Sequence, residues 1–279
     1  MSPRPPPRFI VPPLPEKDTR VIHGINGRGL WSLYLREIRR FLSIPGQSLA
    51  APLASTLLFF IVFNTALGRG DTLLLGVNFS QFLVPSLIMM AIMQNAFANA
   101  SFSLVIAKVQ GNIVDIIMPP LSPFELTLGY SLGGLTRGIA VGLVTALGVM
   151  PFVDMTYQSF FYILFYGASA AVMLALLGVI CGLVASKFDH LAALTNFVIV
   201  PLTFLSGAFF VTAQLPPLVE TILSYSPFFW HIDGFRYGFI GASDHTPTTL
   251  STLCLVALID GLLFLTTWRL FHHGVGLKP

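Results

Sequence analysis

Two charged residues stand inside apolar runs, Arg137 and Asp260. A lone charge at the centre of a membrane helix costs about 2.5–3.5 kcal/mol on insertion scales. Their estimated depths match, so the two are expected to form an intramembrane ion pair, a substrate or proton site being the alternative use of such charges. The other chemistry-bearing residues do not converge. Asp189 and His190 share one turn, and His272 and His273 follow the last apolar run. Neither pair belongs to a cluster with ligand spacing, so no metal is expected. Cys181 and Cys254 both lie in apolar runs and read as two buried thiols, with no disulfide framework. Ser206-Gly207 in LSGAFF evokes an intramembrane serine protease, but Phe204 occupies the position of the first glycine of G-x-S-G. There is no G-x-x-x-x-G-K-[ST] phosphate loop and no Gly-Lys pair, so the chain does not hydrolyse ATP by that route. A row of intramembrane acids, expected of many proton-coupled transporters, is also missing. A lipid-acting enzyme would need acids, histidines or a nucleophile converging at one depth, and the sequence offers no such set.

The elements that carry these residues are membrane helices. Apolar residues make up 54% of the 279-residue chain, charged residues only 10%, and mean hydropathy is +0.80. A soluble domain is roughly one quarter charged, so the bilayer has to serve as solvent for this chain. A span needs about 20 mostly apolar residues. Six such runs are read at 48–67, 81–106, 124–149, 157–185, 191–211 and 249–270. Orientation follows from lysine and arginine. With the N-terminus inside, the cytoplasmic segments hold Arg4, Arg8, Lys17, Arg20, Arg28, Arg36, Arg39, Arg40, Lys108, Lys187, Arg269 and Lys278, while the outside segments hold only Arg69 and Arg236. An odd number of spans would weaken that bias. The fold expected is therefore an all-α polytopic membrane protein of six spans, multi-pass, with both termini cytoplasmic. Residues 1–28, rich in proline, lack the continuous apolar stretch of a signal peptide and read as a disordered cytoplasmic tail. The small-residue series Gly129, Gly133, Gly134, Gly138, Gly142 and the pair Gly178, Gly182 read as sites of close helix packing.

Three segments are apolar without spanning. Residues 29–43 place Trp31, Tyr34, Leu35, Ile38, Phe41 and Leu42 on one helical face and Ser32, Arg36, Arg39, Arg40 and Ser43 on the other, the pattern of a helix lying in the membrane interface with its arginines at anionic headgroups. It is either a plain anchor or a lever that touches a cytoplasmic partner. Between the second and third spans, Gly111 and Asn112 are read as starting a short helix and Pro119 and Pro120 as stopping it. Its residues Ile113, Val114, Ile116, Ile117 and Met118 are apolar around the single charge Asp115. Such a helix in cytosol needs a cover, supplied either by the rest of the chain or by a docked soluble partner. Residues 212–248 are too apolar for an ordinary loop and, with Pro216, Pro217, Pro227 and Gly234, too broken for one spanning helix. Two half-helices dipping into the outer leaflet are expected, with Phe228, Phe229, Trp230 and Tyr237 anchoring at the interface or stacking on sugars.

The order of these parts, with the sequences NIVDIIMPPLSPFELTLGYSLGGLTRG and SPFFWHIDGFRYGFIG, resembles the membrane subunit of type-2 ABC exporters, and most nearly the short bacterial permeases of the nodulation-factor and polysaccharide exporter type. The likeness runs from about Gly29 to the C-terminus, with 44–279 as the six-span domain. It implies that Gly111, Asn112, Ile113, Val114, Asp115, Ile116, Ile117 and Met118 form a coupling helix seated in an ATPase subunit, with Arg36, Arg39 and Arg40 close to that subunit. It marks Pro227, Phe228, Phe229, Trp230, Asp233, Gly234, Arg236 and Tyr237 as the outer re-entrant motif. It further implies two copies of this chain and two ATPase subunits in a bacterial inner membrane, with the first and fifth spans facing the second copy. ATP and Mg would belong to the ATPase, no cofactor would be bound by this chain, and membrane lipid rather than nucleic acid would be its surroundings. The cargo expected is amphipathic: a lipid-linked glycan, a lipid or a drug-like molecule. A channel or secondary transporter working without an ATPase is the alternative.

Overall fold

The computed structural model describes residues 24–67, 73–244 and 250–277. Most of the expected N-terminal tail, together with Arg69 and Lys278, lies outside these residues. The fold is all-α: among the described residues six helical segments are long and apolar enough to cross a membrane, Gly46–Ala66, Phe79–Val109, Pro123–Phe152, Phe160–Val184, Phe188–Leu205 and Leu250–His272. Before the first of them comes α1, Gly27–Leu42. The first span is a π turn, Gly46–Ala50, running into α2, Ala51–Leu67. A two-residue hairpin of β1, Leu73–Leu74, and β2, Val77–Asn78, leads to the second span, α3, Phe79–Val109. The short α4, Val114–Ile117, precedes the third span, α5, Pro123–Val149. The fourth span is α6, Phe160–Val184. The fifth joins α7, Phe188–Leu194, through a π turn, Thr195–Ile199, to α8, Val200–Leu205. Then come α9, Pro217–Ser224, α10, Pro227–Ile240, and the sixth span, α11, Leu250–His272.

The second span is the axis of the molecule. Its 31 residues reach about 46 Å at 1.5 Å per residue, longer than the ~30 Å hydrocarbon layer. It packs along α5, α6 and α10, and most of its side chains are buried. Glycine makes that close packing feasible. A Cβ on Gly178 of α6 would lie 2.5 Å from the Phe97 carbonyl oxygen of α3, and one on Gly134 of α5 would lie 2.4 Å from Ala175 Cβ of α6. At both positions any larger residue would drive the helices apart.

The first and fifth spans lie at the edge, with long runs of exposed apolar residues such as Leu58, Ile61 and Phe197. Each contains a π turn, and each π turn ends two residues before a proline, Pro52 and Pro201. Proline has no N–H to donate and its ring collides with the carbonyl four residues back. Widening that turn to π geometry relieves the collision without ending the helix.

The two ends of the bundle have separate cores. At one end, Leu33 of α1, Ile116 of α4, Leu126 and Tyr130 of α5, Phe271 of α11 and Leu277 pack together with the last turns of α3 and α6. Both ends of the described chain therefore meet there, at what we call the terminal end. At the far end, α10 is buried against α6 and α3, and the backbone N–H groups of Gln158 and Ser159 donate to the Gly238 carbonyl at 3.0 and 2.9 Å.

Candidate functional site

At the terminal end α1 is fastened to the bundle by an acid. Leu33, Glu37 and Phe41 form its buried stripe, four residues apart. Gly129 and Gly133 of α5 open the space they occupy: a Cβ on Gly133 would lie 2.7 Å from Glu37 Cβ, and one on Gly129 2.5 Å from Leu33 Cδ2. These two glycines, read as sites of close helix packing, receive α1. Glu37 is fully buried and accepts from Ser103 Oγ at 2.7 Å, Arg40 Nη2 at 2.8 Å, Arg36 Nη2 at 3.3 Å and Asn99 Nδ2 at 3.4 Å. Arg40 also donates to the Asn99 carbonyl at 2.7 Å, and Arg36 to Tyr130 Oη at 3.0 Å. Of the three arginines expected at lipid headgroups, Arg40 is turned inward, Arg36 spans rim and interior, and Arg39 is exposed. Trp31 and Leu42, on the expected apolar face, are exposed, so the protein covers only part of that face.

Next to this joint, the chain reverses through α4. Gly111 does not start that helix. With φ +73° it terminates α3, in the left-handed conformation that glycine adopts most readily. The regular helix is one turn, Val114–Ile117, and Asn112 does not cap it. The apolar residues divide: Ile116 is 3% exposed and plugs into the terminal core, whereas Val114 is 51% and Met118 77% exposed. Ile113 is half-buried, and Asn112 and Asp115 are exposed. Glu125, at the start of α5, fixes the return of the chain. It closes a capping box with Ser122, whose N–H donates to Oε2 at 2.6 Å, and accepts the Asn26 N–H ahead of α1. Between α1 and the α3–α4 turn lies a cleft of about 850 Å³, lined among others by Arg36, Arg39, Arg40, Gln110, Asn112 and Asp115.

At the far end the broken segment forms two short helices, α9 and α10, as expected, but several of its motif residues are placed differently. Pro217 and Pro227 are the first residues of α9 and α10, where proline favours helix initiation. Gly234 does not break α10: it lies beneath the Tyr166 ring, 2.2 Å from where its Cβ would be. Phe228 and Phe229 are buried. Trp230 is half-buried and donates through Nε1 to the Ser224 carbonyl at 2.7 Å, and Tyr237 meets Tyr162 edge-on at 5.1 Å. Arg236, counted in the sequence as an outside charge, is wholly buried. Its guanidinium stacks 3.9 Å from the Phe82 ring centre, donates to the Gly207 carbonyl at 3.1 Å and lies 3.8 Å from Asp233. Asp233 also accepts from Ser243 Oγ at 2.8 Å and the Asp244 N–H at 2.9 Å. Asp244 takes the Thr212 N–H at 2.6 Å; burial, with Asp233 nearby adding to it, pushes its carboxyl above the usual range.

The terminal end thus holds an arginine-lined cleft beside an anchored helical turn with two exposed apolar side chains. The family model of the ABC-2 type transporter matches residues 28–240. The chain belongs to the ABC-2 type transporter family. It is 35% identical over 250 residues to the inner membrane transport permease YadH of Escherichia coli (strain K12), covering 89% of this chain and 96% of that protein. Nodulation protein J of Neorhizobium galegae is 23% identical over 235 residues (82% and 88% coverage), and that of Rhizobium leguminosarum bv. viciae 25% over 232 residues (78% and 83%). The chain is thus the permease subunit of an ABC-2 type transporter and not an enzyme, and permeases of this family work with an ATPase partner.

Within the permease the expected Arg137–Asp260 pair does not form. Arg137 donates to Asn95 Oδ1 on α3 at 3.3 Å, while Asp260 Oδ2 shares a hydrogen bond with Ser169 Oγ on α6 at 2.5 Å. Ser169 Oγ is also 3.0 Å from Nε2 of His231, a residue the sequence reading did not single out. This is not a hydrolytic triad, because the carboxylate holds the serine rather than His231 Nδ1. Of the two thiols expected to be buried, Cys181 is half-buried and Cys254 is exposed on the sixth span. Glu37 also escaped the sequence reading. Its signal was there: it shares a four-residue stripe with Leu33 and Phe41, and an acid on an apolar stripe requires buried donors.

Proposed function

We propose that two copies of this permease and two ATP-binding-cassette ATPase subunits form an exporter of amphipathic cargo in a bacterial inner membrane, with the terminal end in the cytoplasm. The observation that carries this reading is the division of labour in α4. Ile116 anchors the turn in the core while Val114 and Met118 point away from it beside the arginine-lined cleft. An apolar pair held rigidly at a surface is suited to insertion into a partner's groove. ATP and Mg belong to that partner. Closure of the ATPase pair would push α4, and the shared core of Ile116, Leu33 and Leu126 would pass the displacement to α1 and α5.

A second copy fits the first and fifth spans. Phe59 of the first meets Phe204 edge-on and Phe63 meets Phe209 at a tilt in the fifth segment, with ring centres 5.7 and 4.4 Å apart, so the two spans make one apolar face. The names of its relatives, an inner membrane transport permease and nodulation protein J, support the location and the family of cargo carriers. The test uses Val114→Glu with Met118→Glu. Both side chains are exposed, so insertion and folding should persist while copurification of the ATPase falls at least tenfold, about 1.4 kcal/mol of binding. Undiminished copurification would refute docking through α4.

A further inference from the structure

Asp260 of α11, Ser169 of α6 and His231 of α10 form one hydrogen-bonded chain across three helices. Its protons can be counted. His231 Nδ1 is 2.6 Å from the Pro227 carbonyl oxygen, which only accepts, so Nδ1 carries a proton. Ser169 has one hydroxyl proton for two neighbours. If that proton goes to Nε2, the contact with Asp260 Oδ2 is satisfied only when Oδ2 bears a proton of its own. If it goes to Oδ2, Nε2 must be protonated and His231 is a cation. Either complete arrangement holds one proton more than a neutral imidazole beside an ionised carboxylate.

The surroundings decide between the two. His231 and Ser169 are buried, and Asp260 Oδ1 is buried without a hydrogen-bond partner among the described residues. No cationic group among those residues lies within 4.0 Å of Asp260. The cationic groups on the neighbouring helices are engaged elsewhere, and the Tyr166 hydroxyl of α6 is buried without a hydrogen-bond partner among the described residues. On α10, Arg236 pairs with Asp233; on α5, Arg137 binds Asn95; on α3, Lys108 binds the Leu183 and Ala185 carbonyls at the other end of the bundle. On α6, Tyr166 presents its ring edge-on to His231 at 6.2 Å. An imidazolium and a carboxylate separated by a hydroxyl would leave both charges poorly compensated at membrane depth, whereas a carboxylic acid leaves no charge to compensate.

We propose that Asp260, Ser169 and His231 are a proton-binding site within the membrane, holding one proton as a neutral acid–hydroxyl–imidazole chain that ends on the Pro227 carbonyl. The bound proton lies on Asp260, and no covalent bond to a heavier atom changes. The chain ties the fourth and sixth spans to α10, which Arg236 ties to Gly207 just beyond the fifth. Being uncharged, it can open without leaving a bare carboxylate in lipid.

The test uses the full-length permease in lipid nanodiscs. Nitrogen NMR of histidine-labelled protein, with the His231 signal identified by its loss in His231→Gln, should show a neutral ring protonated at Nδ1 at neutral pH. Infrared spectra should contain a carboxylic-acid C=O band that Asp260→Asn removes. Because Asn donates to Ser169 as the acid does, Asp260→Asn should leave the His231 tautomer and the thermal midpoint unchanged. Asp260→Ala, lacking a donor, should lower the midpoint and shift the Nε2 resonance. A doubly protonated His231, an acid band untouched by Asp260→Asn, or an Asp260→Asn protein that misfolds would each overturn the proposal.

Discussion

The two ends of this permease solve opposite electrostatic problems. At the terminal end a carboxylate, Glu37, is surrounded by donors. At the far end a guanidinium, Arg236, is surrounded by a carbonyl, an aromatic face and Asp233. They also differ in their access to water. Arg36 and Arg40 keep 45% and 27% of their side chains exposed while reaching Glu37, whereas both members of the Arg236–Asp233 pair are at 0%. The cations at the terminal end can exchange a protein partner for water as α1 shifts. Those at the far end cannot, because an unpaired buried charge has nowhere to go. A joint that can be rearranged thus lies beside the proposed docking surface, and a lock that cannot lies at the opposite end.

Removing one member from each cluster tests that contrast. Asp233→Ala should be the most damaging change. It leaves Arg236 sealed against Phe82 with its paired carboxylate gone, a loss of about 3–5 kcal/mol for breaking a buried pair, read as a fall in the thermal unfolding midpoint of the detergent-purified protein. Glu37→Ala should cost less, about 1–3 kcal/mol, because Arg36 and Arg40 can turn outward to water and only Ser103 and Asn99 lose an acceptor. Proteolysis near Asn26 should then rise as α1 detaches. If Glu37→Ala destabilises as much as Asp233→Ala, the distinction between joint and lock is wrong.

The legibility of these features follows from the kind of signal each one leaves. A span is a linear signal, a run of about 20 apolar residues, and the six runs were readable for that reason. A rotational position is not linear. Arg137 and Asp260 match in estimated depth, but Arg137 lies between Gly134 and Gly138, whose close contacts with Ala96 and Ile92 turn that side of α5 toward α3. Asp260 lies one turn beyond the buried Val256, on the side of α11 that meets α6. Equal depth therefore did not bring them together. That a short apolar helix, α4, follows the second span was legible in its position and composition. Which residue anchors and which protrudes depends on how the turn after Gly111 is set, and that the letters do not state. The prolines of the far end were legible as divisions between two short helices, since Pro217 and Pro227 open α9 and α10, where proline has no N–H bond to lose, whereas Gly234, expected as a further break, lies inside α10.

The smallest expected effect concerns Asp244, on the rim of the far-end cluster, and it separates the rim from the lock. Its carboxyl is held above the usual value of about 3.9, mainly by burial and further by Asp233. The folded state therefore takes up this proton at a higher pH than the unfolded state does. Stability linked to that proton is fully present below the unfolded value and is lost as pH rises through the folded one. Wild-type protein should gain stability from this group as pH falls from neutral toward the unfolded value. Asp244→Asn keeps an oxygen to accept the Thr212 N–H and leaves the Asp244-position backbone N–H bonded to Asp233, but it has no proton to take up. Its unfolding midpoint should exceed that of wild type slightly at neutral pH, and the difference should shrink on acidification. A wild-type minus variant difference that stays constant across that range would mean that Asp244 is as well solvated as Arg36, and that the sealed region ends at Asp233.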